Sequence, residues 1–240
     1  MTNSRGANGA PAYFSWPGLL LGARAMVAPL LGQCAFGIVI GTQAAQHGFS
    51  IFEAVSMSAL VYAGLSQAIG LQSWPEVISA GSLAVLALAT ATANVRFLLF
   101  GTTLRPWFST LRAWQVYPML FMMTDGGVLQ ALRYREAGGA DASYYLGGSL
   151  SLYVTWPLST AIGYYAASWL SNPKAFGLDL VIPAFFAALL VPAWKGVRHA
   201  VPWLVAALAA VVVQGLVQGY WFIIAGGIAG ALTAGLMNDE

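Results

Sequence analysis

Charge is scarce in this chain: 10 Lys and Arg and 8 Asp and Glu among 240 residues, or 8%. A soluble domain carries about 25% charged residues. With 59% hydrophobic residues as well, a water-facing surface is excluded and lipid becomes the natural solvent. The net charge is only +2. The basic residues form no run, so a nucleic-acid partner is not expected. Cysteine is nearly absent. Cys34 stands alone, which rules out an intrachain disulfide and a metal site built on several thiolates. Histidine is limited to His47 and His199, both near the ends of apolar stretches. No His-Glu-x-x-His pair exists for a zincin centre. Gly64-Leu65-Ser66-Gln67-Ala68 only half matches a nucleophile elbow, and no histidine base is placed to activate a serine. No Walker motif appears, and no cofactor is expected. Residues 1–17 are polar and Gly/Ala-rich and lack the apolar core of a signal peptide. The first spanning segment is expected to direct insertion.

Long apolar runs are what the sequence does contain. A helix needs about 20 apolar residues to cross the hydrocarbon. Such runs cover Gly18–Ala45, Ile51–Leu71, Val77–Thr103, Ala113–Leu132, Ala142–Leu170, Phe176–Ala193 and Val201–Leu236. They lack the alternation of a β-barrel. The fold expected is all-α: a polytopic transmembrane helical bundle with interrupted helices. Pro29, Pro157, the Thr90-Ala91-Thr92-Ala93-Asn94 stretch and Gly215–Gly219 mark the expected interruptions. They recur in order. Gly22, Pro29 and Gly48-Phe49-Ser50 match Gly148, Pro157 and Gly177-Leu178-Asp179, and Pro75 matches Pro202. The reading is two three-element repeats, about 18–104 and about 142–236, joined by residues 105–141. All lie within one transmembrane domain (18–240) behind a polar tail (1–17). Matched broken segments in two halves point to a transporter with its site at the repeat interface.

The charge rule leaves topology open. Arg105 and Arg112 precede Ala113–Leu132, and Arg133 and Arg135 follow it. If that segment spans, positive charge flanks both sides; if it is re-entrant, all four arginines share one side. Seven spans with a parallel repeat and six with an inverted one both remain possible.

Ionisable groups within membrane segments are costly and mark function. Asp125, in Met122-Met123-Thr124-Asp125-Gly126-Gly127, could carry a proton, with the glycines after it suggesting unwound backbone. It could equally pair with Arg96. Asp179 and Glu53 open the second element of each repeat; Asp179 is a second candidate for ion coupling, although either could simply favour a helix dipole. Arg24 could snorkel. Asn94 and Arg96 combine a planar cationic fork with an amide, a set suited to an amino-acid carboxylate. Ser66 and Gln67 are expected to line the path, while Ser58 and Gly64 fit helix packing.

Taken in order, Ala35-Phe36-Gly37, Gly48-Phe49-Ser50, Ser58 to Gln67, Asn94-Val95-Arg96 with Gly101, Thr124-Asp125, Trp156 and Gly177-Leu178-Asp179 resemble the AzlC family over roughly 18–236. The resemblance implies a multi-pass bacterial inner-membrane protein exporting branched-chain amino acids or methionine, driven by the proton gradient. It also implies a small membrane partner subunit resembling AzlD. The family usually carries Pro, His and Glu where this chain has Ala35, Phe97 and Gly126, so two titratable groups are missing. A non-transporting scaffold or sensor subunit is the rival reading. Convergence of Asn94, Arg96 and Asp125 on a cavity favours transport; tight pairing in a dry core favours the scaffold. An intramembrane enzyme ranks third.

Overall fold

The computed structural model describes residues 12–72, 74, 79–167, 187, 191, 194, 196–217 and 221–238. Asp179 and most of the expected second element of the second repeat lie outside the described residues. What is described is helical, with one isolated bridge between Tyr13 and Asp141 and no strand. In chain order the α-helices are α1 (Trp16–Ala25), α2 (Val27–Gln46), α3 (Ile51–Val61), α4 (Gly64–Gln72), α5 (Ala80–Asn94) and α6 (Arg96–Phe108). They continue with α7 (Ala113–Phe121), α8 (Asp125–Glu136), α9 (Ala142–Ala166), α10 (Val201–Leu216) and α11 (Trp221–Asn238). Contacts gather into two units: residues 1–74 with 94–185, and 75–93 with 186–240.

Two elements of the first unit are long. Helix α2 has 20 residues and is apolar enough to cross a membrane; α9 has 25. At 1.5 Å per residue these measure about 30 and 37 Å. The expected proline breaks do not form. Pro157 lies inside a continuous α9, and Pro29 sits in the first turn of α2, where a missing N–H costs little. The chain breaks instead at Met26, between α1 and α2.

Glycine sets the packing of α1 and α2 on α9. A methyl added at Gly22 would overlap the carbonyl of Tyr144, and one at Gly147 would overlap that of Leu19. Further along, Gly41 meets the carbonyl of Thr160, and Gly163 meets that of Ile38. Each pair is reciprocal, and positions rise together on both strands of the contact, so α1–α2 and α9 run parallel. Only glycine allows backbones this close. At the starting end, Asp141 caps α9 through Ser143 N (2.9 Å) and accepts from Ser15 Oγ, which itself caps α1 by accepting from Gly18 N (3.0 Å). Ser143 Oγ accepts from Ser15 N at 2.8 Å. One buried carboxylate thus holds two helix starts together.

Two pairs of short helices complete this unit. Helix α3 descends α9 from the Tyr164 end: Tyr164 Oη donates to Phe49 O, Ser58 Oγ meets Thr160 Oγ1, and Tyr153 Oη donates to Ala59 O. After Tyr62 and Ala63 the chain doubles back as α4. Gln67 returns to Ser58 (3.0 Å), and Trp74 stacks edge-on against Phe49. Helices α7 and α8 make the opposite hairpin from the Asp141 end. Thr110 accepts from Ala12 N, and Trp107 Nε1 donates to Ala140 O, so both feet stand at that end. A core of Leu104, Trp107, Phe108, Met119, Val128 and Tyr145 holds it. Helices of 9 to 12 residues reach only about 13–18 Å, half of a bilayer.

The second unit holds α10 and α11, packed where methyls on Gly226 and Gly230 would press on Ala206. That is the small-xxx-small contact of membrane helices.

Asp141→Ala removes both cap interactions at once. It is expected to destabilise the protein by roughly 1–2 kcal/mol, the scale of a lost N-cap; Glu53→Ala, at the exposed capping box of α3, is expected to cost less. Thermal unfolding of purified protein in detergent measures both.

Candidate functional site

The two hairpin tips meet beside the middle of α9. Tip one is Tyr62-Ala63. Tyr62 adopts φ 44°, ψ 39°, the left-handed region, and is the only non-glycine residue with positive φ among those described. That conformation costs a bulky residue about 1–2 kcal/mol and ends α3 abruptly. Burial offsets it: Tyr62 is 5% exposed and packs edge-on against Tyr153 at 5.0 Å. Gly64 then opens α4 against the Trp156 and Phe36 rings, where a methyl would come within 2.8 Å of Trp156. Tip two is Met122-Met123-Thr124. Thr124 caps α8 by accepting from Gly127 N at 3.1 Å.

Asp125 is therefore the first residue of α8, not the start of an unwound stretch. The break precedes it, and Gly126 and Gly127 are helical. The Asn94–Arg96 region is also less unwound than expected. Thr90 Oγ1 bonds back to Leu86 O, α5 runs to Asn94, and Val95 keeps helical angles.

Four of the expected residues form two pairs across these breaks. Ser66 Oγ donates to Asn94 Oδ1 at 3.0 Å. Arg96 Nε lies 3.1 Å from Asp125 Oδ1, each side chain 27% exposed. The Nε–H nevertheless has no hydrogen-bond partner, so proximity without alignment makes this an ion pair alone. The guanidinium also lies 5.2 Å above the Phe97 ring.

Gln67 faces elsewhere. It is 2% exposed; its amide donates to Ser58 Oγ and accepts from Trp156 Nε1 at 2.8 Å. Ser58 continues to Thr160, which bonds Trp156 O. This chain locks hairpin one to α9. Glu53 is a first-turn carboxylate, accepting from Ser50 N at 2.7 Å.

Sequence reasoning missed three residues. Asp141 was passed over within a polar break, although Asp followed by Ala142-Ser143 before an apolar run is an N-cap signal. Tyr62 precedes Gly64 by two positions, a hint of a helix end. Tyr153 lies four residues before Pro157, whose missing N–H frees the Tyr153 carbonyl.

The roles of neighbouring residues separate by mutation. Gln67→Leu leaves the buried Trp156 N–H without a partner and Ser58 with Thr160 alone, and is expected to cost about 1–3 kcal/mol of stability. Ser66→Ala removes one hydrogen bond, from a buried hydroxyl (2% exposed) to the half-buried Asn94, and is expected to cost under about 1.5 kcal/mol. Thermal shift in detergent compares the two.

Comparison with known proteins gives a family. The profile of a family described as AzlC protein matches residues 29–170, which contain both hairpins and every residue of the cluster. The chain is 28% identical over 203 residues to inner membrane protein YgaZ of Escherichia coli strain K12, covering 81% of this chain and 80% of that protein. No solved structure matches. The profile spans more than half of the sequence and the hairpins that carry the polar cluster, so this is a membrane protein that belongs to the AzlC family.

Proposed function

We propose that the protein is a secondary transporter, exporting branched-chain or related small amino acids across the bacterial inner membrane with proton coupling. The observation that carries this is the Arg96–Asp125 pair: held at 3.1 Å, misaligned, and 27% exposed on both sides. A structural ion pair in a dry core would be aligned and closed, because a buried charge needs its hydrogen bonds. An open, poorly matched pair is ready to exchange one partner for a ligand. The scaffold reading fits that geometry less well.

The helix ends support a zwitterion. Helices α4 and α8 begin at the tips, and α3 and α7 end there. Positive and negative dipole ends are thus gathered at one depth. In this reading Arg96, with Asn94 and Ser66, takes the carboxylate, and Gln67 holds the lining of the path from behind. Asp125, released from Arg96 when substrate arrives, binds the coupling proton; Asp179 is a second coupling candidate. The two long elements and the two short hairpins support a multi-pass arrangement. Arg112, Arg133 and Arg135 lie on the α7–α8 hairpin and Arg105 at the end of α6 before it, which supports a cytoplasmic placement of the Asp141 end by the positive-inside rule. A small partner subunit resembling AzlD completes the proposal.

Lysine is a point charge and cannot reproduce the planar fork of arginine. Arg96→Lys is expected to weaken amino-acid binding by roughly 1.5–3 kcal/mol, the scale of a hydrogen bond to a charged group. Binding of the matching amine without a carboxylate should change little. Calorimetry on both ligands tests this, and equal losses would assign Arg96 to the fold.

Asp125→Asn is expected to abolish accumulation driven by a proton gradient while sparing substrate exchange in proteoliposomes. Accumulation by the mutant would remove Asp125 from coupling.

A further inference from the structure

Between the two tips stands one side chain, Tyr153, at the middle of α9. Its hydroxyl donates to Ala59 O in the last turn of α3, at 3.1 Å. Its ring meets Tyr62 of tip one at 5.0 Å and Phe121 of tip two at 5.8 Å, both edge-on. No other described aromatic pair in this region joins the two hairpins. The tips also share a plan. Tyr62 lies four residues before Ser66, and Phe121 four before Asp125. Whatever moves an aromatic tip moves a polar residue of the cluster with it.

The feet of the hairpins share a plan as well. At one, Ser50 N donates to Glu53 and Phe52 is 78% exposed. At the other, Arg112 N donates to Gln115 and Trp114 is 68% exposed. An exposed aromatic at the start of each hairpin suits the membrane interface, and the two starts lie at opposite ends of α9. Two half-depth hairpins therefore approach from opposite faces, each anchored at its foot and held at its tip by contacts to one tyrosine.

We propose that Tyr153 is a positioning residue that holds both hairpin tips across the polar cluster, so that the site opens to one face when tip one leaves it and to the other when tip two leaves. The two contacts differ in kind. Tip one is held by a ring and a hydrogen bond, tip two by a ring alone. Loss of the hydroxyl thus frees one gate selectively. Loss of the ring frees both, and simultaneous opening dissipates a gradient. The proposal rests on the transporter reading for its consequence but on geometry for its test.

The test uses the full chain with Cys34→Ser, in vesicles of either orientation, and a membrane-impermeant maleimide. Thiols are introduced singly by Ala63→Cys at tip one and Met123→Cys at tip two. Adding Tyr153→Ala is expected to raise labelling by about tenfold at Met123→Cys, the effect of losing an aromatic pair, and by more at Ala63→Cys, which also loses the hydrogen bond. Tyr153→Phe is expected to raise labelling at Ala63→Cys by about threefold, the effect of one hydrogen bond, and to leave Met123→Cys unchanged. Tyr153→Leu, which keeps apolar bulk without a ring, replaces Tyr153→Ala if that variant does not insert. Equal rises at both tips in Tyr153→Phe, or none in Tyr153→Ala and Tyr153→Leu, overturn the proposal. Labelling needs no substrate. A parent protein that shows the expected labelling pattern but moves no amino acid would overturn the transport reading and leave the positioning role intact.

Discussion

Backbone-to-backbone contact between α1–α2 and α9 places everything else in the first unit. Gly22, Gly41, Gly147 and Gly163 each accept a carbonyl where any side chain would collide. In lipid there is little hydrophobic drive between helices, so close packing and polar bonds must hold them. The reciprocal glycines supply the first. Gln33 Nε2 to Leu152 O (2.7 Å) and Thr42 Oγ1 to Gly163 O (3.1 Å) supply the second. With that pair fixed, α9 becomes a post, and both hairpins are positioned by what they touch on it.

Half-length helices in a bilayer carry a burden that full spans avoid. Each broken end leaves backbone groups without intrahelical partners, and hydrocarbon provides none. The described contacts show how this chain answers. Thr124 caps α8, Tyr153 serves the last turn of α3, and Tyr145 Oη donates to Met119 O near the end of α7. The same arrangement brings opposite helix ends and four polar side chains to one depth. A region built that way is polar without a net charge of its own.

The composition and the apolar runs made the membrane-helix class legible, because charge depletion and 20-residue periods are global signals. The ordered polar set, Ser66, Asn94, Arg96 and Asp125, was legible for the same reason: each is anomalous in its segment. Direction was not legible. Ile51–Leu71 is long enough to span, and only the pairing of Gln67 with Ser58 and of Trp74 with Phe49 reveals that it turns back. No local pattern encodes that. Proline misled because its effect depends on place: Pro29 falls in a first turn and Pro157 within a helix braced along its length by α2. Gln67 misled because a large amide in an apolar run reads alike whether it faces a path or an indole. Helices α1–α2 and α9 lie side by side and parallel, a direction that no local pattern in the sequence encodes.

The clasp at Asp141 has a bearing on how the chain is made. Ser15 and Asp141 are 126 residues apart, and the glycine face of α1–α2 has no α9 to meet until that far into synthesis. The first helices must therefore wait in lipid with their contact surface open. Glycine suits that interval, since it leaves no bulky group for a passing helix to grip. Closing so long a loop costs conformational entropy once, and the clasp forms only after the hairpins it encloses have been delivered. Assembly order is thus written into the chain by distance: the post is built late, and the parts that lean on it arrive early.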